Sequence, residues 1–597
     1  MQKCRQKSEN SNDNQQIAAA AGCCVALLSS CGGGGGGSSP STPTAPVPSI
    51  SSLSPSATLV GGAAPTLTVN GTNFVVDSTV QVNGSNRTTT YVNATQLTAS
   101  LTTADVASSG TVPIRVVNPA PGGATSGALN LVVSDVLANA SSLGSEMLAD
   151  QLGANVNIGF LDDTNSAFIP FYQSASVSLF RYPGVADFYH WQTNTYGPCS
   201  PYSAPPTSNA FDNWMKSTPV PLRADVNITV NYETNPTCTG LADPNEAAAW
   251  VNYANNTQHY GVKSWSVGNE EYYWSGTTAP AYASSVATQF YPLMKAQDST
   301  IQVGVGVEFG NGIYDVSADM WDPVVLANAK YDFVETHYYP QRNNQGTDAA
   351  LLSTWSDQIA TNFSTIETLL TTAGKPNTPI FLGEFDRDSG DNGNPGHQSV
   401  SIVNGLFTAI VIGEVAKAGV SMSATWLGLD FCWPDSSPPS TAYGWQDWGS
   451  WGLIAGNGSG FSESCADKGV PAGTVFPKGR AYQIMSQYLV PGEHVIGVQS
   501  AGSSVRAYAA TNATGFALVL INTDSANSHS SLISVNNAQS ASYTATSQTY
   551  GKQQYDLSQT GVWAGSVSAS LGTVSIGNFS VALPPWSITF IKLVPTP

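Results

Sequence analysis

The sequence predicts a multidomain protein centred on a (β/α)8 barrel, with a small antiparallel β-sandwich before it and a second β-sandwich after it. Three observations carry this prediction. At 597 residues, the chain has room for about three or four domains of roughly 150 residues. Between about 138 and 490, eight apolar strand-like runs alternate with helix-like runs, the count and size of a barrel with loop insertions. On both sides the text changes to short runs of period two separated by turn residues. The composition narrows the function classes. Lys plus Arg is 21, Asp plus Glu is 40, and net charge is −19, so no basic surface exists to hold nucleic acid. With 14 Trp, 24 Tyr and 20 Phe, the chain is too aromatic to be disordered as a whole. Only 10% of residues are charged, so a carboxylate inside an apolar run needs a physical reason to be there.

Residues 1–31 read as an export signal. Lys3, Arg5 and Lys7 precede the apolar run Ile17 to Leu28, which is too short to span a bilayer. Its end, Leu28-Ser29-Ser30-Cys31, resembles the bacterial lipoprotein signal, which implies lipidation at Cys31 and an outer-membrane or cell-surface lipoprotein. An ordinary secretory peptide is the alternative. Residues 32–48, beginning with six glycines, read as a flexible tether. No other run approaches a membrane span, so the only expected membrane contact is the lipid anchor.

Residues 49–134 form the first sandwich, with strands at Thr66 to Val69, Thr79 to Val82, Gln96 to Ala99 and Val112 to Val117, and Asn-Gly turn signals at 70–71 and 83–84. Ile50-Ser-Ser-Leu-Ser-Pro55, Val69-Asn-Gly-Thr-Asn-Phe74 and Val117-Asn-Pro-Ala-Pro-Gly-Gly123 resemble the immunoglobulin-like IPT/TIG module, a spacer or binding unit. The barrel is expected over 138–490. Its strands are expected at Ala154 to Phe160, Val177 to Tyr182, Pro221 to Val230, Ser264 to Gly268, Ile301 to Val307, Phe333 to Thr336, Ile380 to Gly383 and Ser423 to Trp426. Pro244 to Ala254 and Ser399 to Ala418 are the clearest helices between them. From 491 to 597 alternating strands return, without a catalytic cluster. Of eight cysteines, Cys199, Cys238, Cys432 and Cys465 lie outside the signal segment, and none has zinc-like spacing. An even count in an exported chain favours disulfides. Of the three pairings, Cys199 with Cys238 and Cys432 with Cys465 keep each bridge within one neighbourhood of the chain.

In a barrel of this kind the chemistry sits at the C-terminal ends of the strands. The fourth run is followed by Asn269-Glu270-Glu271, and the seventh by Glu384-Phe385-Asp386. Two carboxylates at one mouth suit glycosidic bond cleavage, one protonating the leaving oxygen while the other attacks the anomeric carbon or activates water. Glu271 rivals Glu270, but neighbours on an extended chain point to opposite sides. Trp274, Trp426 and Trp433 are candidate platforms for sugar faces. No cofactor and no metal are expected.

Asn269-Glu270 and Glu384 resemble clan A retaining glycoside hydrolases, which implies that Glu270 is the acid/base and Glu384 the nucleophile. Leu179-Phe-Arg-Tyr-Pro-Gly184 with Tyr189-His-Trp191, Asn245 to Tyr253, Tyr260 to Glu270 and the ending Leu583 to Ile591 resemble the α-L-arabinofuranosidase branch, over most of 138–597. The resemblance implies an exo-acting enzyme on polysaccharide side chains. It also implies that Arg181, Asn269, His337 and Tyr339 bind substrate, Asn269 at the sugar 2-hydroxyl and the His337-x-Tyr339 pair at the nucleophile and sugar. Two positions depart from the branch: Gly184-Val185 replaces a Gly pair, and Asp162-Asp163 stand where a sugar-binding Glu is expected. Alternatives are another clan A specificity (β-glucuronidase, β-xylosidase or endo-glucanase) and, from a different class, a non-catalytic carbohydrate-binding adhesin.

Overall fold

The computed structural model describes residues 45–159, 164–184, 186–200, 204–274, 276–308, 318–341, 346–389, 396–435, 442–457 and 464–596. The signal segment with Cys31, the tether up to residue 44, and Asp162, Asp163 and Val185 lie outside them.

Gly153–Asn155 (β1), Leu179–Tyr182 (β2), Asp225–Val230 (β3), Ser264–Val267 (β4), Gln302–Gly306 (β5), Phe333–Tyr338 (β6), Ile380–Phe385 (β7) and Met422–Thr425 (β8) close into an all-parallel barrel in chain order. Strands buried on both faces read as continuous apolar text, which is why all eight were visible in the sequence. Leu179, Phe333, Phe381, Met422 and Ala424 form a buried cluster contributed by four of the strands. Gly304 leaves room for it, since a Cβ there would lie 2.2 Å from the Phe333 ring. Two boundaries differ from expectation in a way that matters. β6 and β7 run on to Tyr338 and Phe385, and His337 pairs with Glu384 across their ladder after a register shift at Thr336. Both residues are therefore held by a hydrogen-bonded backbone rather than by a loop. The first strand is shorter than expected and stops at Asn155.

Helix Ile402–Ala418 is buried on every side except at its C-terminal end. Its start is fixed by the Ser401 hydroxyl, which accepts the Val403 N–H at 3.2 Å, and its end by Gly419 at φ +69°. It packs against the barrel, against helix Pro477–Tyr488 and against strands of the C-terminal sheet.

The N-terminal module is a two-sheet sandwich, antiparallel except where Ala57–Leu59 runs parallel to Leu129–Ser134, around Leu67, Val69, Val80, Val82, Leu97, Ile114, Val116, Leu131 and Val133. Asn83 and Gly84 both take positive φ, the conformation that a tight hairpin between Thr79–Val82 and Ser85–Asn86 requires. The C-terminal strands join in one nine-stranded sheet, rolled so that Phe579–Leu583 approaches Gly515–Asn522 and Ser587–Pro595 around a separate core. This sheet corrects the expected start of the barrel at 138. Residues Val136–Glu146 form a strand inserted between His494–Ser500 and His529–Asn536, so they belong to the C-terminal sheet. The cause is non-local pairing, to which period-two text is blind. Both expected disulfides are present, with Cα–Cα separations of 5.9 Å for Cys199–Cys238 and 4.7 Å for Cys432–Cys465. Among the described residues no helix is long and apolar enough to cross a membrane.

The module touches the C-terminal sheet through exposed and part-buried contacts, such as Ser56 Oγ to Asn536 Oδ1 and Asn536 Nδ2 to the Ala57 carbonyl. Deleting residues 32–134 should leave a cooperatively folding protein. Extending the deletion to 148 removes a central strand and should abolish the cooperative thermal transition seen by circular dichroism. Equal stability of the two truncations would contradict this division.

Candidate active site

Arg181, in the middle of β2, is fully buried. A buried guanidinium is tolerated only where its donors are engaged. Its Nε lies 2.7 Å from Glu335 Oε1 of β6, its Nη1 donates to Glu384 Oε1 of β7 at 2.7 Å and to Asn155 Oδ1 of β1 at 3.0 Å, and its Nη2 donates to Asn269 Oδ1 at 2.7 Å. Asn155, its partner in the β1–β2 ladder, donates in turn to the Gly383 carbonyl at 2.8 Å.

His337 completes the cluster. Its Nδ1 lies 2.7 Å from Glu270 Oε1 and 3.7 Å from Glu384 Oε2, and its Nε2 lies 3.0 Å from Glu335 Oε1. Tyr339 donates its hydroxyl to Glu384 Oε2 at 2.6 Å. The ligand-type atoms of Glu270, His337 and Glu384 all fall within 4.8 Å of one another. That spacing would admit a cation, but the donor set fits one poorly, because Arg181 already occupies one oxygen of Glu384 and both ring nitrogens of His337 already face carboxylates.

Local sequence explains how the carboxylates reach these places. Glu270 has φ +57°, a left-handed conformation rarely taken without glycine, following Gly268 at φ +78°. A Cβ on Gly268 would lie 2.2 Å from Glu271 Oε1, and a Cβ on Gly383 would lie 2.3 Å from Glu335 Oε1. At Gly268, whose positive φ already favours glycine, and at Gly383, inside strand β7, a neighbouring carboxylate also fills the side-chain position. Glu271 is buried apart from the cluster, its Oε1 accepting the Asn269 N–H at 3.3 Å. Burial pushes its carboxyl well above the ordinary value, and Glu233 and Asp187 add to the shift.

Burial opposes the imidazolium of His337, but Glu384, Glu270 and Glu335 outweigh it and push the ring up to about 10. Burial would also raise Glu335, but Arg181 and then His337 outweigh it and hold the carboxyl down to about 2. Burial pushes Glu384 up from its ordinary value, against the pull of His337, Arg181 and Tyr339, with Glu270 adding to the rise.

Six expected residues thus meet at one place: Arg181, Asn269, Glu270, His337, Tyr339 and Glu384. Trp426 and Trp433 are half-buried on the chain following β8 and make no polar contact with this cluster, while the Trp274 side chain lies outside the described residues. The sequence reading missed Glu335 and Asn155. A signal for Glu335 exists, since it stands in an apolar run two residues before His337 and so shares its strand face.

Residues 48–133 match the IPT/TIG domain model. No curated protein matches the chain. Among solved structures, the α-L-arabinofuranosidase from Thermotoga maritima in complex with arabinose aligns over 77% of this chain and 100% of its own, at 16% identity and a TM-score of 0.56. The GH51 arabinofuranosidase from Xanthomonas axonopodis pv. citri aligns with the same coverage, identity and score. A Paenibacillus polymyxa xyloglucanase from glycoside hydrolase family 44 aligns over 77% of this chain and 99% of its own, at 12% identity and 0.52. These likenesses define a shared fold: a barrel with an accompanying β domain.

The His337 shift has a sign that can be checked. A folded-state value near 10 against an ordinary 6.5 adds stability that is full below pH 6.5 and is lost as pH rises through 10. The melting-temperature gap between wild type and His337→Gln should therefore be widest near pH 6 and close by about pH 10. A gap independent of pH in calorimetry would refute the assignment of a buried imidazolium.

Proposed function

We propose that this protein is a retaining glycoside hydrolase, an exo-acting enzyme of the α-L-arabinofuranosidase type that removes side chains from polysaccharide. The observation that carries the reading is the spacing of Glu270 and Glu384, whose facing oxygens lie within 4.8 Å of each other and of His337. Retention needs carboxyl groups about 5–5.5 Å apart, whereas inversion needs about 6.5–9.5 Å to admit a water. Glu384 attacks the anomeric carbon while Glu270 passes its proton to the departing oxygen, and Glu270 then draws a proton from water as the covalent intermediate is hydrolysed.

The charges support these roles. Arg181 and His337 supply two positive charges against the three carboxyls Glu270, Glu335 and Glu384, which lets the carboxylates share one enclosed space. Two donors aimed at Glu384, from Arg181 and Tyr339, stabilise its anion in the orientation for attack. Fully buried, Arg181 acts by positioning Glu384 and Asn269 rather than by touching sugar. Asn269 spends its oxygen on Arg181, which leaves the amide NH2 as the donor for a sugar hydroxyl.

The likeness to the family 44 xyloglucanase over the same 77% of the chain favours one second reading, an endo-acting glucanase. A panel of nitrophenyl glycosides with xyloglucan and arabinan separates the two. Glu384→Ala should show no turnover on any of them. Glu270→Ala should lose about 10²–10⁴-fold in kcat on substrates with poor leaving groups and recover with azide when the leaving group is good. Activity that persists in Glu384→Ala, or an inverted product anomer by NMR, would refute the retaining mechanism.

We further propose lipidation at Cys31, with the glycine tether carrying the enzyme clear of the lipid and the IPT/TIG module acting as a spacer. The wild type should partition with membranes, and Cys31→Ala should be released or left unprocessed. A mature N-terminus away from residue 31 would indicate plain secretion.

A further inference from the structure

Behind β7 and β8 stands a second buried polar centre that the catalytic reading does not use. Lys478, in the first turn of helix Pro477–Tyr488, is fully buried. Its ammonium has three donors and finds three acceptors: a carboxylate oxygen of Asp386, the Trp426 carbonyl at 2.5 Å and the Trp451 carbonyl at 2.8 Å. Asp386 follows Glu384 by two residues, and its other oxygen accepts the Arg387 N–H at 2.6 Å and Asn404 Nδ2 at 3.1 Å. A buried ion pair is a poor source of net stability compared with apolar side chains of the same volume. What an apolar side chain could not do is hold the carbonyl oxygens of two separate segments, each of which carries a half-buried tryptophan.

The same segment is fixed from its other side by Asp430. Its carboxylate accepts Trp433 Nε1 at 3.0 and 3.2 Å and the Trp451 N–H at 2.9 Å, while Trp451 Nε1 donates to the Asp388 carbonyl at 3.2 Å. The Trp433 and Trp451 rings lie 6.4 Å apart at 60°. Trp426 adjoins the catalytic strand directly, its N–H bonding the Phe385 carbonyl at 3.0 Å. Lys478 thus holds the backbone at Trp426 and Trp451, Asp430 holds Trp433 and Trp451, and Trp451 is the residue that both charges reach.

We propose that Lys478 is a positioning residue that sets an aromatic subsite of Trp426, Trp433 and Trp451 for a sugar ring next to Glu384. The substrate class is a glycan whose rings present an apolar C–H face for stacking. The inference rests on the glycosidase reading, and Trp451 is the member of the subsite that the sequence did not suggest. Because the helix of Lys478 also packs on Gly515–Asn522 and Ser587–Pro595, the clamp joins the C-terminal sheet to the barrel mouth.

The test is the full-length double variant Lys478→Met/Asp386→Asn, which removes both buried charges together, alongside Lys478→Arg. Losing the clamp removes binding felt equally by ground and transition states, so KM on an oligosaccharide should rise about tenfold while kcat stays within about threefold, with Lys478→Arg recovering part of the loss. A folded double variant with wild-type KM would overturn the proposal. A second measurement does not depend on turnover: 19F NMR of protein labelled with 5-fluorotryptophan, the three resonances assigned by Trp→Phe variants. Broadening or shifting of those three resonances in the double variant supports the clamp, and an unchanged spectrum overturns it. Should the wild type cleave no glycoside, the glycosidase reading fails while the spectrum still judges the clamp.

Discussion

The arrangement at the barrel mouth depends on one guanidinium. From β2, Arg181 reaches β1 at its side and crosses the barrel to β6, β7 and the residue after β4, with every contact at or below 3.0 Å. Without it, three carboxyl groups would face each other in a space largely shielded from water, at a high cost in repulsion and desolvation. With it, and with the imidazolium of His337, Glu335 can remain charged while fully enclosed. Glu335 in turn fixes the second nitrogen of His337, so the ring presents its first nitrogen to Glu270. The orientation of Glu270 is thus decided three side chains away.

Much of the fold was legible because the barrel obeys a local rule. Each strand is buried on both faces, so each reads as an apolar run whatever its neighbours. Val136–Glu146 does not obey that rule. Its text, with Asn139, Ser141, Ser142 and Ser145, looks like any partly exposed strand, and nothing in it names partners near Ser500 and Asn536. The candidate site divides in the same way. Glu270 and Glu384 stand at strand ends beside glycine, where position alone marks them, whereas Glu335 is hidden inside a strand and Lys478 comes from a helix beyond the barrel. Their roles arise from burial, and burial of a charge in a three-dimensional pocket leaves no periodic trace in the chain. Glu271 illustrates the converse, since sequence adjacency made it a rival and backbone geometry sent it to a different acidic neighbourhood.

The glycines at the site were equally legible in position and illegible in cause. Gly268 and Gly383 might be read as turn residues, yet each is an imprint of a neighbouring carboxylate that occupies the volume of the missing side chain. Substitution at Gly383 would press on Glu335 inside the strand, and substitution at Gly268 would both press on Glu271 and strain a backbone at φ +78°. The proposed chemistry and the backbone are coupled at atomic contact distance.

The strand at Val136–Glu146 also dictates an order of events during synthesis. It leaves the ribosome ahead of the whole barrel, while its partners from His494 to Ser500 and from His529 to Asn536 appear only after the barrel has been made. Until then it is a solitary strand with both edges open, the state in which mispairing with other chains is easiest. Its serines and asparagines keep that waiting segment hydrated. A sheet whose other strands follow the barrel is finished by a strand that precedes it, which brackets the barrel between two pieces of one sheet and delays that sheet until both have been made.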